Sequence, residues 1–151
     1  MEEPMKLKQI SVQIENSHDR LYEFTRALGD AGINLRALTL VDTGNFGELR
    51  VLVSDTSSAR QILMQKDIPA RVDDVVAVQM EDKPGELANL LERLMASGVK
   101  IKYGYALAGM DSEKAIMIFR FDDNDKAIEV LTQKEVQLVD SDSFNRLAAT
   151  G

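Results

Sequence analysis

Three observations predict an α+β chain built from two tandem βαββαβ units. The 151-residue sequence repeats itself, the second copy following the first at an offset of 66 that becomes 68 past the middle of the unit. Runs of strict apolar–polar alternation mark half-buried strands, and between them apolar residues recur at helical spacing. Glycines and capping residues punctuate both copies at matching places.

Lys6 to Glu15 sets Ile10, Val12 and Ile14 on one face and Ser11, Gln13 and Glu15 on the other, the pattern of a strand. Residues of about 19–31 put Leu21, Phe24, Leu28 and Ala31 on one face of a helix, and Gly32 stands where a helix ends in a left-handed residue. Ile33 to about Val41 reads as a second strand, Thr43-Gly44-Asn45-Phe46-Gly47 as a turn, and Leu49 to Ser54 as a third strand. Asp55-Thr56-Ser57 caps a second helix that runs to about Lys66 and buries Ala59, Ile62 and Leu63, and a short strand follows near Ala70 to Val72.

The offset of 66 carries Ile10, Val12 and Ile14 to Val76, Val78 and Met80, Asn16 to Asp82, Leu21, Phe24 and Leu28 to Leu87, Leu90 and Leu94, and Gly32-Ile33 to Gly98-Val99. The offset of 68 carries Val51 and Val53 to Phe119 and Phe121, Asp55 to Asp123, Ala59 to Ala127, and Leu63 to Leu131. The second copy is thus expected as strand 74–81, helix 85–97, strand 99–107, hairpin 108–114, strand 115–121, helix 124–134 and strand 136–139. The two extra residues belong in the hairpin, where insertions are tolerated. Each unit is expected to be a ferredoxin-like layer, an antiparallel four-stranded sheet with its helices on one face. Expected domains are 5–73 and 74–140, with a frayed C-terminal tail at 141–151. The absence of a flexible linker predicts a rigid relation between the halves.

Composition narrows the function. With 44% hydrophobic and 28% charged residues the chain is globular. A net charge of −7 and no dense basic cluster argue against nucleic acid as a partner. No apolar run approaches the ~18 residues of a membrane span. Met1-Glu2-Glu3-Pro4 lacks the basic and apolar regions of a signal peptide, so the cytoplasm is the expected location. The lack of cysteine removes disulfides, thiolate metal sites and a cysteine nucleophile.

Features suggestive of chemistry have plainer readings. His18, the single histidine, has no serine motif around it to complete a triad. Asp122, Asp123 and Asp125 lack the spacing of a calcium loop and read as acids at a helix start. Tyr103 and Tyr105 share a strand face, where packing and pocket lining are alternatives. No glycine-rich phosphate loop is present, and Arg20 with Asn34 only loosely matches an acylphosphatase-like site. No catalytic residue, metal ligand or cofactor site is expected.

The loop after each unit's first strand is the informative motif. In the second unit it reads Glu81-Asp82-Lys83-Pro84-Gly85-Glu86-Leu87, followed by Gly98-Val99-Lys100-Ile101. In the first it reads Glu15-Asn16-Ser17-His18-Asp19-Arg20-Leu21, followed by Ala31-Gly32-Ile33-Asn34. Pro84 fixes φ, and Gly85 permits positive φ and close approach to the backbone at a helix start, where unpaired N–H groups favour a carboxylate. Asp82 is placed to accept from an ammonium. A tight strand-to-helix turn with an ordinary cap is the alternative reading of the same residues.

These segments resemble the ACT family, in a stand-alone tandem form, over residues 5 to 140. The resemblance implies a non-catalytic regulatory protein that binds a free amino acid or similar small carboxylate between its halves. It also implies a partner enzyme or regulator as the output. Carried over by motif, one pocket sets Asp82, Pro84, Gly85, Glu86 and Leu87 against Gly32, Ile33 and Asn34. The mirror pocket sets Asn16, His18, Asp19, Arg20 and Leu21 against Gly98, Val99 and Lys100. His18-Asp19 replaces the family's Pro-Gly and Lys100 its usual Asn, so the two pockets are expected to differ. A ligand-free pseudo-dimeric interaction scaffold is the alternative, and both monomer and homodimer fit the sequence.

Overall fold

The computed structural model describes residues 5–15, 18–111 and 114–150, with the side chains of 18, 108–111 and 147–150 excepted. The chain divides into an N-terminal unit, Lys8–Asp73, and a C-terminal unit of the residues from Asp74 onward with the described ones before Lys8. Lys6, whose ammonium lies 2.6 Å from the Asp125 carboxylate, goes with the latter.

The N-terminal unit runs β1 (Lys6–Glu15), α1 (His18–Asp30), β2 (Leu35–Asp42), β3 (Phe46–Val53) and α2 (Thr56–Gln65), and ends on the first residues of β4 (Arg71–Glu81). Its strands stand in the order β2-β3-β1, antiparallel, with Val12 opposite Leu49 and Ile10 opposite Val51. Phe24 and Leu28 of α1 and Ala59 and Leu63 of α2 are fully buried against Ile10, Val12, Leu49 and Val51. Each large side chain so buried contributes about 1.5–3 kcal/mol. α1 ends in a Schellman motif: Ile33 N–H donates to the Leu28 carbonyl and Gly32 N–H to the Gly29 carbonyl, both at 3.0 Å. Gly32, at φ +77°, supplies the left-handed residue that this motif requires. Asp55 caps α2 by accepting from Ser58 N–H at 3.1 Å.

The C-terminal unit continues β4 and adds α3 (Glu86–Met95), β5 (Ile101–Asp111), β6 (Lys114–Phe121), α4 (Asn124–Gln133), β7 (Gln137–Val139) and α5 (Ser141–Thr150). Its sheet order is β5-β6-β4-β7, all antiparallel. Val76, Val78, Phe119 and Phe121 pack against Leu90 and Leu94 of α3 and Ala127 and Leu131 of α4. The βαββαβ order therefore occurs twice, with two helices on one face of each sheet.

Three expectations need correction. The last strand of the first unit and the first of the second are one continuous strand, β4, because Val72, Val75, Val76 and Val78 favour extended backbone and no glycine or proline interrupts them. The hairpin expected from residue 108 begins later, since β5 continues to Asp111 and the extra length of the second copy goes into that strand. Residues 141–150 do not fray; they form α5. Asp140 caps it, its carboxylate accepting from Ser143 N–H at 2.7 Å and its carbonyl from Phe144 N–H at 2.9 Å. Phe144 is only 3% exposed, and burial of that ring is what a frayed tail would forgo.

The sheet faces turned away from the paired helices differ between units. In the N-terminal unit that face carries Gln9, Ser11, Glu48, Arg50 and Asp73; the offset of 66 maps the first two to Val75 and Ala77, that of 68 maps Glu48 and Arg50 to Ile116 and Ile118, and Asp73, bonded to Ser11, answers to Val139, which stands opposite Ala77. Gln9, Ser11 and Asp73 are buried nonetheless. Gln9 Nε2 donates to Ser11 Oγ at 3.1 Å, and Ser11 Oγ donates to Asp73 Oδ2 at 2.8 Å. Arg71 joins the chain, reaching Asp73 through Nε at 3.1 Å and Glu48 through Nη2 at 2.9 Å.

Candidate functional site

The Asp82–Leu87 loop leaves the end of β4 and opens onto α3. Gly85 occupies the N-cap position at φ +90°, a left-handed conformation, and no side chain caps the helix. A Cβ at Gly85 would meet nothing within 4 Å, so glycine is required there by backbone angle and not by crowding. Glu86 N–H turns back to the Lys83 carbonyl at 3.3 Å, and Asn89 N–H makes the first helical bond to the Gly85 carbonyl at 3.0 Å. Asp82, Lys83, Pro84, Gly85 and Leu87 are exposed and Glu86 is half-buried.

Charge around the loop is mixed. Lys83 Nζ lies 2.8 Å from Glu81 and 3.9 Å from Glu86. The hydrogen bond from Lys83 holds the Glu81 carboxyl below its ordinary range, and Glu81 in turn raises the Lys83 ammonium. One lysine stands among Glu81, Asp82 and Glu86, so acids are in excess beside the positive end of a helix. Such a setting disfavours a bare dianion beside the helix start.

The matching loop of the N-terminal unit is built differently. Asn16 lies outside the described residues, as does the side chain of His18, whose backbone begins α1. Asp19, the counterpart of Gly85, is inside the first turn of α1. The helix thus starts two residues earlier than α3 does in its repeat. Arg20 bridges Glu15 at 3.5 Å and Glu23 at 3.1 Å, and the hydrogen bond with Glu23 is the chief cause of its raised pKa. Leu21 packs on the unit's core.

The strand-start residues are largely committed to the fold. Ile33 is buried. Asn34 N–H donates to Ser54 Oγ at 3.0 Å and its carbonyl accepts from Ser54 N–H at 2.9 Å. Lys100 repeats this with Asp122, whose Oδ1 accepts from Lys100 N–H at 2.9 Å. The side chains of Asn34 and Lys100, both exposed, are what remain for a ligand. Val99 N–H donates to Ser97 Oγ at 3.1 Å, a side-chain substitute for the backbone bond that Ile33 makes. Within either unit the loop and the strand start sit at opposite ends of one helix, about 15 Å apart for ten residues. Neither unit brings both halves of a candidate pocket together by itself.

Sequence reading overlooked Ser54, Ser97 and Asp122 as supports of these segments. Ser54 and Asp122 hold Asn34 and Lys100 from 20 and 22 residues away, a separation that carries no local signal. The aspartates suspected of cation binding each have another engagement: Asp122 holds Lys100, Asp123 caps α4 through Lys126 N–H at 3.0 Å, and Asp125 pairs with Lys6. Among the described residues no cluster has the makeup of a metal site, and no helix is long and apolar enough to cross a membrane.

Two ferredoxin-like units, each with a loop opening onto a helix start, define the class, and the sequence of the chain specifies it further. Residues 5–148 match the family described as the ACT domain pair, and the chain belongs to that family. A protein of known structure from Bacteroides thetaiotaomicron is similar at 37% identity over 94% of this chain and 97% of its own, with a TM-score of 0.88. The regulatory subunit of aspartate kinase from Thermus thermophilus, ligand-free, has a TM-score of 0.60 at 15% identity, over 85% of this chain and 92% of its own. That from Thermus flavus gives 0.60 at 16%, over the same shares. At such identities the last two share the fold alone. No curated protein matches the chain.

Proposed function

We propose that this chain is a non-catalytic, cytoplasmic sensor that binds a free amino acid on the Pro84–Gly85 loop and signals to a partner enzyme or regulator. The observation that carries the reading is Gly85, left-handed and without a side-chain cap, at the start of α3. It leaves helix N–H groups beside an exposed loop, and the acid excess around them favours an α-amino acid over a simple anion. Asp82 and Glu86 are the acceptors for the ammonium and Lys83 a second contact for the carboxylate. Membership of the ACT domain pair family supports a regulatory role, as does the fold shared with aspartate kinase regulatory subunits.

A thermal-shift screen of the twenty amino acids tests this. At a hundredfold excess over Kd, stabilisation of about 2.7 kcal/mol is expected. A flat response from all twenty at millimolar concentration sinks the sensor reading and leaves the interaction scaffold.

A further inference from the structure

We draw no further inference here: the strongest candidate, the surface patch of exposed apolar side chains Leu38, Leu40, Val41 and Phe46 along the β2 edge of the N-terminal sheet, carries nothing, because nothing in the structure shows what covers it.

Discussion

Each unit has its own helix-facing core of matching residues, and the two differ on the opposite faces of their sheets. Five positions hold Gln9, Ser11, Glu48, Arg50 and Asp73 in one and Val75, Ala77, Ile116, Ile118 and Val139 in the other. The first unit links Asp73 to Ser11 and Arg71, and Arg71 to Glu48; the second has apolar side chains there and an additional helix. A satisfied ionic network and an apolar packing of similar volume are close in free energy. Duplicated sheets can therefore adopt either, but a mixture is costly, because a lone charge on an apolar face has no partner.

Moving one residue across that comparison gives the largest expected effect. Val139→Asp places a carboxylate opposite Ala77, with Gln137, not an arginine, two residues before it. It is expected to destabilise the C-terminal unit by about 3–5 kcal/mol. The reverse change, Asp73→Val, leaves Arg71 its bond to Glu48 and is expected to cost about 1–3 kcal/mol. Urea unfolding followed by circular dichroism compares them, and equal losses would mean that the two faces are interchangeable.

The loops are the second contrast. Gly85 is left-handed and precedes its helix, whereas Asp19 is within one. Gly85→Asp strains the left-handed backbone and adds a carboxylate facing the ligand's own; at 4 Å and an effective dielectric of ~20 the repulsion alone is ~4 kcal/mol, and solvent screening leaves a fraction of that. Even a third of it lowers affinity about tenfold. Isothermal titration should show at least that loss for Gly85→Asp and no loss for Asp19→Gly. The opposite ranking would move the site to the first loop.

Smaller effects separate the helix ends. Asp67 and Glu135 are left-handed at φ 58° and 61°, the places where α2 and α4 close. Glu135→Gly relieves a strain of ~1–2 kcal/mol against an entropic cost of ~0.5–1, a net gain on the order of 0.5–1 kcal/mol. Asp tolerates this conformation better, so Asp67→Gly should gain less; calorimetry ranks the two by melting temperature. The smallest effect is a pH slope. Hydrogen bonds from the Ser58 backbone and hydroxyl hold the Asp55 carboxyl below its ordinary value. A depressed folded-state pKa contributes stability that is present above the unfolded pKa and lost as pH falls through the folded one. Asp55→Asn should flatten that part of the acid limb of a stability-against-pH curve, and an unchanged limb would remove Asp55 from the account.

Much of this was legible in the chain. The alternation of Ile10, Val12 and Ile14, its repetition at Val76, Val78 and Met80, and the glycine after each first helix specify two βαββαβ units, because strand and helix periods are local properties of the backbone. Gly85 was legible too, since a glycine after proline at a helix start has few other uses. The Ser11–Asp73 bond was not: its partners are 62 residues apart, and Ser11 on an alternating strand reads as a solvent-facing residue. Nor was α5, whose Phe144 is buried by neighbours that the local sequence does not name.

The sequence by itself therefore determined the element order, the duplication and the position of the left-handed loop glycine, all set by interactions within a turn or a strand. Only the tertiary structure decided which polar residues are buried, that β4 is one strand, and that the last ten-residue segment is a helix. Those outcomes depend on what lies across the sheet, and a burial free energy is settled by neighbours that chain order does not name.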